Sequence, residues 1–389
     1  MSDTSLKLVR TRPFSPSKIS LINDCPLRYL LETENYVSVS SPSNPYALVG
    51  TAIHKLVEIN LSRPSISGVE LKKQFIDSID KLATRGGASL VRWVHANYGL
   101  SGILSNERVV SSVQQVKRLL AKYGDDKSEI KVDSNFIAHS ISPDAMGSEK
   151  WFEHKKLELG GKIDLSYVDD EGIIHVVDFK SGKVLDEEGQ PKDGYLLQIG
   201  AYGLMVEESA DSSNILLELI GSHTTWVGKL DETLRARVLN FVSEAQKTLP
   251  LNREIDASTL SKSGEHCSSC RSRFSCDEYR LALRNRSLGG GDSICSPNDL
   301  FGTVSRVTKH ENLIDVLVNT NNGIICSIIG LPDCLYQEIK TGDLISGYFL
   351  GVLDSESRCT FPANFFVFRD DAPRLSSFES LLIIDEKNQ

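Results

Sequence analysis

Two short stretches, Gly161-Lys162-Ile163-Asp164-Leu165 and Val177-Asp178-Phe179-Lys180, carry residue types that could do chemistry together. Two carboxylates can hold Mg²⁺ or Mn²⁺ through hard oxygen ligands, and an ion so held polarises a phosphate oxygen and lowers the pKa of a bound water. A lysine beside them would orient that water and steady developing negative charge. The plain alternative is a surface hairpin whose Asp and Lys merely pair, worth about 0 to 1 kcal/mol.

The elements that must position these residues follow from periodicity. Leu157, Leu159, Ile163, Leu165 and Tyr167 recur on one face of a strand, and Asp164 points to the other. After the turn cluster Asp169-Asp170-Glu171-Gly172, the β-branched run Ile173 to Val177 reads as the partner strand, on which Asp178 and Lys180 share a face. A turn centred on Glu171 sets Asp164 opposite Asp178; a bulge would shift that register by one residue. Downstream, Gln198 and Tyr202 stand at i and i+4 on a helix entered shortly after this hairpin. Upstream, Ala47 to Glu58 reads as a helix with the apolar stripe Val49, Ile53, Leu56 and Val57, flanked by His54. One such histidine is more often structural than a ligand, although imidazole suits a site that already holds carboxylates.

This order of His54, Gly-Lys-Ile-Asp164, Asp178-Phe-Lys180 and Gln198-x-x-x-Tyr202 resembles the RecB-type branch of the PD-(D/E)XK nucleases. The resemblance implies a restriction-endonuclease-like core, with His54, Asp164, Asp178 and the Phe179 carbonyl as ligands of Mg²⁺ or Mn²⁺. It implies Lys180 as the catalytic lysine beside Asp164 and Asp178, and Gln198 and Tyr202 as residues that position DNA. Some members add an upstream glutamate, for which Glu149, Glu153 and Glu158 are all candidates.

Cysteine spacing is a separate signal. Three of the eight cysteines form Cys267-x-x-Cys270-x-x-x-x-x-Cys276, a spacing that wraps a metal or cluster. Cys25, in Asn23-Asp24-Cys25-Pro26-Leu27-Arg28-Tyr29, is the candidate fourth thiolate. One cysteine before the core and three after it resembles the iron-sulfur subset of the same family, which includes AddB-type and CRISPR-associated nucleases; there, four cysteines hold a [4Fe-4S] cluster. Four thiolates equally suit tetrahedral Zn²⁺. Cys295, Cys326, Cys334 and Cys359 are scattered and read as core or incidental thiols.

The whole chain is ordinary globular material. Its 389 residues are 40% hydrophobic and 24% charged, with no apolar run long enough for a bilayer span, so a cytoplasmic protein without membrane association is expected. A net charge of −9 argues against a general nucleic-acid sponge. Locally, six basic residues (Lys262, Arg271, Arg273, Arg280, Arg284 and Arg286) face three acidic ones in a stretch that reads equally as a solvated face or a DNA-backbone contact.

The expected architecture is α/β. A mixed sheet flanked by helices occupies residues 1–286, with a helical insert over 62–125. A Gly-rich linker at 287–292 then leads to a β-rich domain at 293–375 and a tail at 376–389. Strands at Phe301–Val307, Leu313–Val318, Gly323–Ile329 and Leu344–Leu353, with a helix near Asp333–Ile339, suggest a small OB-like barrel. The resemblance points to a metal-dependent nuclease, and to exonuclease action on single-stranded DNA or DNA ends in repair, recombination or defence. No Gly-x-x-x-x-Gly-Lys-Ser/Thr motif occurs, so unwinding would need a helicase or another protein partner. The rival reading is a non-cutting subunit of nuclease fold that binds DNA or a partner.

Overall fold

The computed structural model describes residues 7–34, 45–61, 65–86, 107–123, 147–286, 294–296, 299–321, 323, 325–333, 337–348, 350, 360–362 and 381–386. The expected linker, the middle of the helical insert, Cys334 and Cys359 lie outside them. The chain divides into two compact units. The first comprises 1–36, 49–78 and 109–262, and the second 37–48, 79–108 and 263–389.

In the first unit, β1 (Lys7–Val9) pairs antiparallel with β7 (Glu254–Asp256). The sequence predicts one helix from the Ser15 cap through Cys25 towards Leu30. Instead a 3-10 turn (Pro16–Lys18) leads to α1 (Leu21–Asp24) and α2 (Pro26–Thr33). Cys25 between them is extended, at φ −159° and ψ 110°. The cause is Pro26, whose ring excludes the residue before it from the helical region. Arg10 is fully buried, donating to the carbonyls of Leu249 and Arg12 and pairing with Glu158, so that the N-terminal segment is pinned to the body of the unit.

The central sheet has five strands in the order β2 (Gly147–His154), β3 (Leu159–Val168), β4 (Ile174–Phe179), β5 (Ile215–Ile220) and β6 (Thr225–Lys229). All neighbours are antiparallel except β4 and β5. That parallel pair needs a crossover, and α6 (Asp193–Ala210) supplies it. Leu165 faces Val177 and Val168 faces Ile174, so the β3–β4 turn is centred on Glu171 without a bulge. One rung beyond Leu165 and Val177, Asp164 and Asp178 come to facing positions.

Helix α6 is buried without a break from Leu197 to Val206. Its glycines permit this closeness: a Cβ on Gly200 would stand 2.8 Å from Val238 Cγ2, and one on Gly203 would stand 3.0 Å from Leu217 Cδ2. Val238 belongs to α7 (Glu232–Thr248), an amphipathic run for which the preceding Asp231 predicts an N-cap; Asp231 accepts from the Leu234 amide at 2.8 Å.

Helix α3 (Pro45–Asn60) carries His54, and α4 (Gly68–Gly86) and α5 (Glu107–Tyr123) belong to the helical insert. In α4, Leu71, Phe75, Ile79 and Ala83 recur every fourth residue and are fully buried, as an amphipathic stripe requires. No described helix is long and apolar enough to cross a membrane.

The second unit holds α8 (Asp277–Arg284) and a six-stranded sheet. Its strands are β8 (Leu300–Lys309), β9 (Leu313–Thr320), β10 (Ile325–Pro332), β11 (Leu344–Tyr348), β12 (Thr360–Pro362) and β13 (Leu381–Glu386). They run in the order β12-β10-β9-β8-β11-β13 around a core that includes Val304, Ile314, Val316, Val318, Ile328 and Ile345. The predicted strand at Leu344–Leu353 appears as β11, and residues 334–336 of the expected short helix lie outside the described residues.

Candidate active site

Alternation on β4 puts Asp178 and Lys180 on one face, and the site grows from that pair. Lys180 Nζ lies 2.8 Å from Asp178 Oδ2 and donates to Gln198 Oε1 at 2.9 Å. Gln198 Nε2 in turn donates to Asp178 Oδ1 at 2.9 Å and lies 3.4 Å from the Tyr202 hydroxyl. The side chain of Gln198 therefore ties the lysine to the carboxylate. Gln198 and Tyr202 are both buried.

On the facing strand, Asp164 Oδ2 accepts from the Phe179 amide at 2.7 Å, which locks its carboxylate to the adjoining backbone. Its Oδ1 lies 3.2 Å from His54 Nδ1. The Phe179 ring packs edge-on to His54, with centroids 6.1 Å apart, and 5.7 Å from Tyr123 of α5. The hairpin thus brings together His54, Asp164, Asp178, Phe179 and Lys180 from three separate stretches of sequence.

Burial pushes the Asp178 carboxyl up to about 6; the Lys180 ammonium opposes the shift and the Asp164 charge adds to it. Burial alone would lower the His54 pKa, but the hydrogen bond and charge of Asp164, with Asp178 behind, raise it above its ordinary value. A carboxylate disfavoured by desolvation and a neighbouring acid is a group that a cation would relieve. Asp178 Oδ2 is buried and, apart from the facing ammonium, makes no aligned hydrogen bond among the described residues. The donor types fit a hard divalent ion, although among the described residues no three of His, Cys, Asp or Glu are already drawn into a closed cage.

Of the upstream glutamates, Glu158 pairs with Arg10, and Glu153 accepts from the Trp151 indole at 2.8 Å. Glu149 lies on β2, and its side chain is outside the described residues.

Cys25 belongs to the first unit, buried, with its Sγ 3.9 Å from the Leu260 carbonyl. Cys267, Cys270 and Cys276 belong to the second, on 3-10 turns that lead into α8. Cys270 is buried, while Cys267 and Cys276 pack at the margin of a cluster formed by Phe274, Tyr279, Leu283, Phe301 and Tyr348. Part of the basic stretch beside them is committed internally: Arg273 is buried against Asp299, and Arg286 donates to the Ser296 carbonyl.

Sequence reasoning misses two contributors. Gln115 of α5 donates to the Lys180 carbonyl at 3.0 Å, so the helical insert braces the lysine's own backbone. Tyr195, on the first turn of α6, places its ring 5.0 Å from Lys180 Nζ. Gln115 gives no signal beyond a polar residue in an amphipathic helix, whereas Tyr195 stands three residues before Gln198 and so on the same helix face.

Residues 13–277 match the family model of the PD-(D/E)XK nuclease superfamily. The chain belongs to that superfamily. No curated protein matches it significantly. Among solved structures, a Eubacterium rectale protein described as a "Putative exonuclease" is 13% identical, with 73% of this chain and 91% of that one covered and a TM-score of 0.37. A second, SSO0001, is also 13% identical, with 60% and 97% covered and a TM-score of 0.23. As a member of a nuclease superfamily, the chain has the hairpin of Asp164, Asp178 and Lys180 as its candidate hydrolytic centre.

Proposed function

We propose that this PD-(D/E)XK protein is a metal-dependent deoxyribonuclease that acts as an exonuclease on single-stranded DNA or DNA ends. The observation that carries the reading is the chain Lys180–Gln198–Asp178 beside the Asp164–His54 pair. It is hard to explain as a surface ion pair, because Asp178 and Gln198 are buried and bonded to each other, and Lys180 is bonded to both.

His54, Asp164, Asp178 and the Phe179 carbonyl would hold Mg²⁺ or Mn²⁺. When bound, such an ion polarises the phosphodiester and acidifies a water. The chain's own residues do the rest. Lys180 presents a fixed positive charge to the negative charge that builds on the phosphate. Gln198 holds Lys180 and Asp178 in register, with Tyr202 behind it, so both position the strand through the groups they hold. Asp164, anchored by the Phe179 amide, keeps the second carboxylate from swinging away.

A [4Fe-4S] cluster on Cys25, Cys267, Cys270 and Cys276 belongs to the same reading, with Zn²⁺ as its alternative. Three thiols within ten residues, buried or half-buried, are a donor set suited to either. Iron, sulfide and zinc analysis of protein purified without air separates the two: about four irons per chain is expected, and stoichiometric zinc in a colourless protein would remove the cluster. The β-rich unit is read as OB-like, supported by its strand order and by one parallel pair among the described residues, β10 with β12.

The test is cleavage of end-labelled single-stranded and duplex DNA with Mg²⁺ or Mn²⁺, comparing wild type with Asp178→Ala and Lys180→Ala. Each variant is expected to lose at least about a hundredfold in rate, the scale for removing one group that stabilises charge in the transition state. A folded wild-type protein that binds DNA and never cuts would sink the enzyme reading in favour of a non-cutting subunit.

A further inference from the structure

The start of α6 carries two polar groups with no role yet in the proposed chemistry: the ammonium of Lys192, at the N-cap, and the hydroxyl of Tyr195, on the first turn. Lys192 is exposed, and its ammonium has no ion-pair partner among the described residues. Tyr195 is half-buried, and its hydroxyl makes no hydrogen bond among them. The Tyr195 ring stands against both lysines, its centre 5.0 Å from Lys180 Nζ and 5.8 Å from Lys192 Nζ. Of the two cations, Lys180 is paired with Asp178 at 2.8 Å, whereas the acids near Lys192 in sequence are engaged elsewhere. Asp193 is paired with Arg237 at 2.8 Å, and Asp186 Oδ1 accepts from the amides of Glu188 and Gln190.

Each ammonium gains from the π-system of the Tyr195 ring. Asp178 balances the charge of Lys180, which leaves Lys192 to take an incoming anion. A phosphate oxygen can accept from the ammonium of Lys192 and from the phenol together.

We propose that Lys192 and Tyr195 form a subsite for the phosphate next to the scissile one on the bound strand. The inference rests on the nuclease reading and deepens it. Every nucleotide of a strand carries a phosphate, so the neighbour of a phosphate held at Lys180 falls to groups beside that lysine. Tyr195 also keeps its ring against Lys180, and so links grip on the neighbouring phosphate to the group that acts on the scissile one.

The experiment is titration of a fluorescein-labelled single-stranded oligonucleotide by the full chain in a chelating buffer over a range of salt, with cleavage measured in parallel with Mg²⁺ or Mn²⁺. Lys192→Ala is expected to flatten the dependence of log affinity on log salt by about 0.7, the contribution of one phosphate contact on a single strand. Tyr195→Phe keeps the ring and removes the hydroxyl; it should raise KM by about 10- to 100-fold and leave the salt slope in place, as loss of a hydrogen bond to a charged group does. Lys247→Ala, an exposed lysine of α7 paired with Glu244, serves as the control and should move neither quantity.

If wild type cuts DNA and Lys192→Ala has the wild-type slope, the subsite is wrong and the nuclease stands. A wild type that neither binds nor cuts DNA would remove the nuclease reading, and the subsite with it.

Discussion

At the scale of single residues, Gln198 shows how much of the site depends on a neutral side chain. Among the described residues it is the one group that touches both Lys180 and Asp178 through aligned hydrogen bonds, and it is buried. Truncation would leave a buried carboxylate one donor short and free the lysine to rotate. Gln198→Ala is therefore expected to lower kcat about 10- to 100-fold, the range for groups that orient a reacting set from behind, while KM changes less. A loss confined to KM would mean that Gln198 instead contacts the strand directly. A second residue, Glu218, predicts pH dependence of stability away from the site. Its carboxylate accepts from Lys122, Tyr123, Tyr167 and His175, all within 3.1 Å. Burial would raise its pKa, but His175 and Lys122 outweigh that and hold it down to about 2. Burial would lower the His175 pKa, but Glu218 and Asp169 raise it above 6.5. The two signs differ. Stabilisation by Glu218 is complete above about pH 4.5 and is lost as pH falls towards 2, an effect of up to about 3 kcal/mol. Stabilisation by His175 is complete below about pH 6.5 and is lost as pH rises through its raised pKa. Urea midpoints of the wild type should thus peak between about pH 4.5 and 6.5. Glu218→Gln should flatten both limbs, and an unchanged acid limb would contradict the assignment.

At the scale of elements, the β-hairpin was legible because its chemistry and its register share one pattern. Alternation fixed the faces of Asp164, Asp178 and Lys180, and the acidic turn fixed the centre at Glu171, which the pairing of Leu165 with Val177 bears out. The Asp231 cap and the helix after it were legible for the same local reason. What stayed hidden depends on contacts distant in sequence. Nothing in α5 marks Gln115 as a donor to the Lys180 carbonyl, or Tyr123 as a partner of Glu218. The break at Cys25 was legible in principle, because Pro26 follows it, but the apolar spacing through Ile22 and Leu30 hid it. Helix α6 raises a packing question that sequence alone cannot pose: it crosses α7 at Gly200, where any Cβ would stand 2.8 Å from Val238 Cγ2. Helix propensity would favour alanine there by about 1 kcal/mol. Overpacking costs about 1 to 3 kcal/mol and should win, because Val238 is itself buried and has little room to yield. Gly200→Ala is thus expected to lower thermal stability, and Gly200→Ala with Val238→Ala to recover part of the loss. A single variant as stable as wild type would show that the α6–α7 contact is looser than its geometry.

At the scale of the whole molecule, one connection decides which body the cysteine-bearing stretch belongs to. Arg273 lies between Cys270 and Cys276, and Asp299 stands at the entry to β8. The guanidinium donates to Asp299 through Nε at 2.5 Å and Nη2 at 2.8 Å, and through Nη1 to the Cys270 carbonyl. Tyr279 adds its hydroxyl to Asp299 Oδ2 at 2.7 Å and accepts from the Ser296 amide. Burial alone would lower the Arg273 pKa, but the bidentate carboxylate of Asp299 raises it, so the guanidinium keeps its proton. A pair of this kind contributes little over an apolar replacement, yet removing one partner strands the other charge in the interior. Arg273→Leu and Asp299→Leu are each expected to destabilise the second unit by about 3 to 5 kcal/mol. The double variant should cost clearly less than the sum, a coupling that a double-mutant cycle in urea reads directly. Metal content of the same proteins then becomes informative. If the thiol stretch is held in place by this pair and binds the proposed iron or zinc, the single variants lose that metal along with stability, and the double variant regains both together. Additive losses with metal content unchanged would mean that the cysteines are ordered by something other than the β-rich body on which they pack.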